Sequence, residues 1–255
     1  MKIISYNVNG IRSAMGKNLT GWLTNEKPDV VCFQEIKAQP EQFDNYLFET
    51  MGYSSYWYPA QKKGYSGVAI LSKQKPDKVV YGCGEDCYDS EGRIIRVDIG
   101  DVSVISLYMP SGTTGDERQG FKMQFCDFFY PYIENLLKER PNLVISGDLN
   151  ICHHPIDIHN PVSNKNSSGF LPEEREWLGK FIEMGFVDSY RHLNPNTQKY
   201  SWWSFRAGSR QNNKGWRIDY NLVSKALAPK IKDAEILNDA MHSDHCPVMV
   251  ELDVK

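Results

Sequence analysis

Six short polar clusters interrupt the apolar runs of this sequence: Tyr6-Asn7-Val8-Asn9-Gly10, Gln34-Glu35, Tyr108-Met109-Pro110, Gly147-Asp148-Leu149-Asn150, Arg217-Ile218-Asp219-Tyr220 and Ser243-Asp244-His245. Glu35 directly follows VVCFQ, so its carboxylate ends a buried run, where an unpaired charge is costly. A hard cation is one remedy, since Mg²⁺ takes one or two carboxylates and fills its shell with water and phosphate oxygens. An ion pair with a lysine or arginine is the other. Asp148 and Asn150 alternate, so both face one side if the strand continues. The carboxylate can take a proton from water, and the amide can hold that water or donate to a phosphate oxygen without adding negative charge. Gly, Asp and Asn also suit an ordinary strand-to-turn transition. Asp244 and His245 point in different directions, one toward a metal or a base and the other toward a phosphate. Asp219 offers a carboxylate to fix the imidazole tautomer, although a capped turn before the last strand accounts for the same residues. Together these groups supply a metal site, a water activator, a phosphate-facing imidazole and neutral amides, the parts that phosphodiester hydrolysis needs.

The elements that must position them are short and β-rich. Residues 3–9, 30–35, 67–73, 94–99, 102–109, 143–150, 218–224 and 247–254 read as strands, rich in Val and Ile and bounded by Gly, Pro, Asp or Asn. Several are apolar nearly throughout, as strands covered on both faces are. Helices are expected over 19–25, 40–51, 119–140 and 172–184. Phe121, Phe125, Phe128, Tyr132 and Leu136 mark the apolar stripe of the third, which Pro131 should kink or interrupt. Interspersed strands and helices indicate an α/β protein. No linker or composition shift divides the chain, so one domain over 1–255 is expected.

The chain has 255 residues, 41% apolar and 24% charged, an ordinary globular composition. Its net charge of −3 argues against a simple DNA coat protein. An enzyme with a basic groove is compatible with it, because the local field matters more than the sum. Six cysteines lie mostly in or beside apolar runs, and the spacing of Cys83 and Cys87 has no second pair to complete a zinc site. Reduced thiols, an N-terminus without secretory or transit character, and no apolar run near the ~20 residues of a membrane span lead to the expectation of a soluble cytoplasmic protein. The segment 199–217 interleaves Lys199, Arg206, Arg210, Lys214 and Arg217 with Tyr200, Trp202, Trp203, Phe205 and Trp216, a mixture suited to phosphate contacts and stacking. A second polar loop covers 160–169.

SYNVNGIRS, VVCFQEIK, GYSGVAILSK, EGRIIRVDI, LYMPSG, GDLNI, GFLPEEREW, GWRIDYNLVS and SDHCPV occur in this order. The set strongly resembles the exodeoxyribonuclease III family of abasic-site endonucleases, within the endonuclease/exonuclease/phosphatase superfamily, from the first strand to the last. SDH and GDLN mark only the superfamily, whereas GWRIDY, GYSG and EGR together mark the DNA-repair branch. The resemblance implies a four-layer α/β sandwich of the DNase I-like kind, with two facing mixed β-sheets flanked by helices. It implies Glu35 as the principal ligand of Mg²⁺ (with Mn²⁺ as a substitute), Asp148 as the water activator, and Asn7, Asn150 and Tyr108 as phosphate-positioning groups. It further implies His245 on the phosphate, held by Asp219, and Asp244 as a further carboxylate at the metal site. Trp202, Trp216 and Ile218 match the pocket for an extruded abasic sugar, and Tyr65, Arg93 and Asn164 match DNA contacts. Asn9 stands where some members carry Asp, which removes a charge and points to one metal rather than two. Ser111 and Ser167 replace DNA-contacting asparagines of some members, and Thr114 and Arg206 stand where larger or apolar side chains insert into DNA. The implied activity is cutting 5′ to abasic sites in double-stranded DNA to leave a 3′-hydroxyl, with 3′→5′ exonuclease action and cleaning of blocked 3′ ends, by a monomer. A phosphoesterase for another substrate and a DNA-binding relative without catalysis are the alternative readings.

Overall fold

The protein is described over residues 1–254 by a computed structural model. Its strands are β1 (Lys2–Asn7), β2 (Val30–Gln34), β3 (Ser54–Tyr58), β4 (Val68–Ser72), β5 (Lys78–Tyr81), β6 (Ile94–Ile99), β7 (Val102–Tyr108), β8 (Leu143–Asp148), β9 (Phe186–Asp188), β10 (Asp219–Ser224), β11 (Ile231–Ile236) and β12 (Val248–Leu252). The helices are α1 (Ile11–Gly16), α2 (Leu19–Glu26), α3 (Tyr46–Thr50), α4 (Asp86–Asp89), α5 (Asp116–Glu139), α6 (Pro172–Gly185) and α7 (Ser189–Leu193). One sheet has the order β11-β12-β1-β2-β4-β3 and the other β5-β6-β7-β8-β10-β9. Each sheet is mixed, with a central parallel pair, β1 with β2 and β7 with β8, among antiparallel neighbours.

Alternation along the strands builds the layers. Ile3, Val30, Cys32, Val68 and Ile70 of the first sheet meet Ile95, Val97, Val104, Val144 and Val223 of the second. Their strand neighbours Tyr6, Val31, Phe33 and Leu71 turn outward onto Ile11, Leu19, Leu23 and Phe48 of α1, α2 and α3. On the far side Ile105, Leu107 and Ile145 pack under Phe125, Phe129 and Ile133 of α5 and Trp177, Leu178 and Phe181 of α6. The result is the expected four-layer sandwich. Each fully buried aliphatic or aromatic side chain contributes about 1.5–3 kcal/mol. A polar bridge crosses the central core, where Ser5 Oγ donates to Gln34 Oε1 at 3.2 Å and Gln34 Nε2 donates to Ser106 Oγ at 3.1 Å.

The expected strands all form, and each edge of the two sheets adds one that sequence reading missed: β3, β5, β9 and β11. Edge strands pack on fewer sides: β3 is half-buried throughout, β5 is half-buried or exposed, and β11 is buried at only two positions, so their apolar signal is diluted. The missed helices α1, α4 and α7 are only 6, 4 and 5 residues long. The helix expected over 40–51 is a 3-10 turn at Pro40–Gln42 followed by α3. The interruption expected at Pro131 does not occur, since α5 runs unbroken for 24 residues. Pro131 and Asp127, whose carbonyl loses its helical partner, both lie on the exposed face, where water can serve that carbonyl. No helix among the described residues is long and apolar enough to cross a membrane.

This topology gathers the polar clusters. β1, β2, β7 and β8 end at Asn7, Gln34, Tyr108 and Asp148, and β10 begins at Asp219, paired with Asp148. The segment entering antiparallel β12 brings Asp244 and His245 to the same end.

Candidate active site

Glu35 leaves β2 in a left-handed conformation, φ 50°, which turns its side chain back over the ends of the strands. Gly10 N–H donates to the Glu35 carbonyl at 2.8 Å and fixes that turn. Asn7 is fully buried and its Nδ2 donates to Glu35 Oε1 at 2.8 Å and to Asp148 Oδ2 at 2.9 Å. One amide from the first sheet therefore holds a carboxylate from each sheet. Asp148 Oδ1 accepts from the Asn150 N–H at 2.9 Å. Asn150 does not continue the strand as expected: it is left-handed, φ 52°, and its side-chain amide donates to the Met109 carbonyl at 2.9 Å.

Asp219 lies behind His245. The imidazole Nδ1 sits 2.9 Å from Asp219 Oδ2, while Nε2 faces Asp148 Oδ2 at 3.9 Å. Ser201 Oγ donates to Asp219 Oδ2 at 2.6 Å and settles the carboxylate. Burial alone would depress the His245 pKa, but the carboxylates of Asp219, Asp148 and Asp244 raise it to about 10, so the ring is a cation at neutral pH. Burial, reinforced by the negative charge of Asp219, pushes the Asp148 carboxyl up to about 7. The Glu35 carboxyl would rise through burial, yet Lys37 and the Asn7 amide hold it below the usual value. Tyr108 lies against Glu35 and Asp148, and burial and these charges raise its phenol well above the usual range, so it stays a hydrogen-bond donor.

Glu35, Asp148 and His245 form the one group of three or more acidic, histidine or cysteine side chains among the described residues whose ligand atoms all lie within 4.8 Å of one another. His245 is spoken for by Asp219, which leaves two carboxylates flanked by amide groups. Hard oxygen donors of this kind fit Mg²⁺ or Mn²⁺ rather than zinc. The expected metal-site residues Asn9 and Asp244 form a neighbouring group: Asn9 Nδ2 donates to Asp244 Oδ1 at 2.9 Å, and Asn9 Oδ1 accepts from Lys37 Nζ. Lys37 also pairs with Glu35 at 2.6 Å. Its two-residue spacing from Glu35 was the available signal, and sequence reading gave it no role.

Glu35, Tyr108, Asp148, Asn150, Asp244 and His245 open into a cavity of about 750 Å³ that Trp202, Trp216 and Ile218 also line. The two indoles stand edge to face at 6.0 Å and are fixed by mutual backbone hydrogen bonds at 2.9 Å. Trp202 Nε1 donates to Asp244 Oδ2 at 3.0 Å, which ties the apolar wall to the acidic one.

The model of the endonuclease/exonuclease/phosphatase family matches residues 4–245. The chain belongs to that family. It is 45% identical to the exodeoxyribonuclease of Bacillus subtilis over 256 residues, covering 100% of both chains. Among solved structures it is similar to an AP endonuclease from Archaeoglobus fulgidus, with a TM-score of 0.91 and 34% identity over 100% of both chains. It is also similar to a Neisseria 3′ phosphatase bound to product DNA hairpin, with a TM-score of 0.93 and 28% identity, again over 100% of both chains.

Against this family frame, some of the expected DNA-contacting residues are engaged internally. Arg93 is 1% exposed and donates to Glu91 and to the Tyr108 carbonyl at 2.7 and 2.8 Å, so it supports Tyr108 rather than facing solvent. Tyr65 is half-buried and accepts from Arg118 at 3.0 Å in the same network. Asn164 uses its amide to fold its own loop, donating to the His159 carbonyl at 2.9 Å, and the loop instead presents Asn166, Ser167 and Ser168 to the cavity. Arg206 is exposed beside Phe205, which is 74% exposed, and does not line the cavity. Two cations of the basic segment are structural. Arg217 is buried against Asp157 and Asp188, and Arg210 clamps the carbonyls of Asn238, Ala240 and Ser243 just before Asp244.

Proposed function

We propose that this protein hydrolyses the DNA phosphodiester on the 5′ side of an abasic site, leaving a 3′-hydroxyl, and also trims and cleans 3′ ends. The observation that carries the reading is that one cavity is lined both by a phosphoryl-transfer set and by Trp202, Trp216 and Ile218. A nucleotide must leave the stack to enter such a cavity, and a missing base lowers the cost of extrusion. The AP endonuclease and exodeoxyribonuclease relatives support the endonuclease part, and the Neisseria 3′ phosphatase supports the 3′-end part.

Asp148 takes the proton of the attacking water, its Oδ1 and Oδ2 held by the Asn150 N–H and the Asn7 amide. His245 presents a positive Nε2–H toward the phosphoryl oxygens, and Asp219 keeps the ring oriented and protonated. Tyr108 adds a neutral donor. Glu35, with Asp148 and Asn150 beside it, would hold Mg²⁺ or Mn²⁺, which when bound would supply positive charge to offset that developing on the phosphate. The six free thiols support a reducing compartment, and we place the protein in the cytoplasm.

A labelled duplex with one abasic site, an intact duplex and a duplex with a 3′-phosphate, each incubated with Mg²⁺ or EDTA, test the proposal. Expected are a nick 5′ to the abasic site that a polymerase extends, release of the 3′-phosphate, and no cutting in EDTA. The Asp148→Asn variant should bind the abasic duplex but cut it several orders of magnitude more slowly. Full activity in EDTA, or equal internal cutting of the intact duplex, contradicts the proposal.

A further inference from the structure

Lys122 and Glu174 are both 0% exposed and pair at 2.5 Å, away from the reacting groups. Lys122 lies on the buried stripe of α5 with Phe125, Cys126, Phe129, Ile133 and Leu136, where an apolar residue would pack without desolvating a charge. Buried ion pairs seldom add net stability over apolar packing, so this placement points to a geometric role. Every contact of the pair leads toward the cavity. Lys122 Nζ donates to the Asn150 carbonyl at 2.9 Å. Glu174 Oε2 accepts from the Gly169 and Leu171 N–H groups at 2.6 and 2.9 Å, and Oε1 accepts from Gln119 at 3.0 Å and from Ser168 at 3.4 Å. Gly169, φ +94°, sits so close to the Asn150 carbonyl and Trp216 that a Cβ there would lie 3.0 Å from both.

We propose that Lys122 and Glu174 are positioning residues that lock the left-handed Asn150 turn, and through the Asn150 N–H the Asp148 carboxylate, to the cavity wall at 168–171. Asn150 is then held at three points: its N–H by Asp148, its side chain by Met109 and its carbonyl by Lys122. Only the third comes from outside the strand ends. It also couples the water-activating group to the wall beside Trp216, so the two sides of the cavity keep a fixed separation. The inference rests on the nuclease reading above.

The test is steady-state cleavage of an abasic duplex in Mg²⁺ by wild type, Lys122→Met/Glu174→Gln and Lys122→Arg, with thermal melts of each. The double variant removes both charges and keeps an amide oxygen for the Gly169 and Leu171 N–H groups, so it should melt close to wild type. Its kcat should fall about 10–100-fold, the scale of a misplacement near 1 Å, with KM changed less than about threefold. Lys122→Arg keeps the charge opposite Glu174 but not the single-point donor to Asn150, and should lower kcat in the same direction. If the double variant fails to fold, Lys122→Arg decides by the same criterion. Unchanged kcat in the folded variants, or a raised KM at constant kcat, overturns the positioning role while wild-type cutting leaves the nuclease reading intact. A wild type that does not cut the abasic duplex overturns that reading and this inference with it.

Discussion

Asp219→Asn isolates the contribution of the imidazolium. The side chain keeps its size and its place at the start of β10, but it no longer brings a charge to His245 Nδ1. The rise of the His245 pKa from 6.5 to about 10 corresponds to about 5 kcal/mol in favour of the charged ring, at about 1.4 kcal/mol per pH unit. Asp148 and Asp244 remain, but Asp219 is the first of the charges that raise the value, so the variant loses the main support of the charged ring, and losing one such preorganised donor costs about 10²–10³ in rate. An asparagine can also offer an N–H to Nδ1 and favour the wrong tautomer, which in a serine-protease triad costs about 10⁴. The expected loss is therefore about 10²–10⁴ in single-turnover cleavage of an abasic duplex at pH 7.5. The pH profile carries the sharper signature. A group whose folded pKa is raised keeps its proton up to that value, so the wild-type rate should decline only as pH passes about 10. In Asp219→Asn that decline should move down toward neutrality. A variant that loses rate but keeps its alkaline limb near 10 would show that Asp219 does not act through the charge of His245.

Two further outcomes concern stability. Gly147→Ala should destabilise the protein by about 1–3 kcal/mol or more, read as a lower melting temperature, because a Cβ there would lie 2.1 Å from the Leu107 carbonyl oxygen, a backbone atom that cannot swing away; a wild-type melt contradicts this. Asp157 is fully buried between Arg217 and Arg191, and although burial would raise its carboxyl, the guanidinium groups push it down to about 2. A depressed folded pKa means that this stabilisation is complete above the ordinary value of 3.8 and is lost as pH falls through about 2. Asp157→Asn should cost about 3–5 kcal/mol at pH 7, and urea titrations should show its gap from wild type narrowing between about pH 4 and pH 2; a constant gap refutes the assignment.

The central strands were legible because they are covered on both faces and read as unbroken Val and Ile runs. The strands at the four sheet edges were not, because half-buried positions such as those of Ser54–Tyr58 carry no clear period. The polar clusters were legible because Asn7, Glu35 and Asp148 interrupt apolar runs at the strand ends. The roles of the arginines were not. Arg93, Arg210 and Arg217 look like phosphate ligands by type, yet each binds carboxylates or backbone carbonyls, which for Arg210 and Arg217 lie far off in the sequence. Lys122 carried a signal, a charge at helical spacing from Phe125, Phe129 and Ile133. It went unread because the assigned stripe joined Phe125 and Leu136, which are buried, to Phe121, Phe128 and Tyr132, which are only partly so, and passed over Lys122, Phe129 and Ile133.

No single motif contains the arrangement that matters most. Glu35 comes from the first sheet and Asp148 from the second, and their oxygens lie within the same 4.8 Å group. At that separation two carboxylates repel by roughly 3–4 kcal/mol in an effective dielectric near 20. That repulsion contributes to the rise of the Asp148 pKa. The Asn7 amide donates to both carboxylates, and the His245 cation faces Asp148, so the repulsion is offset by groups that come from both sheets. The distance between the carboxylates is consequently set by how the sheets pack, through the Ser5–Gln34–Ser106 bridge and the Val and Ile layer beneath it. The central core thus fixes both the stability of the sandwich and the charge balance that leaves Asp148 near neutrality, able to take a proton from water.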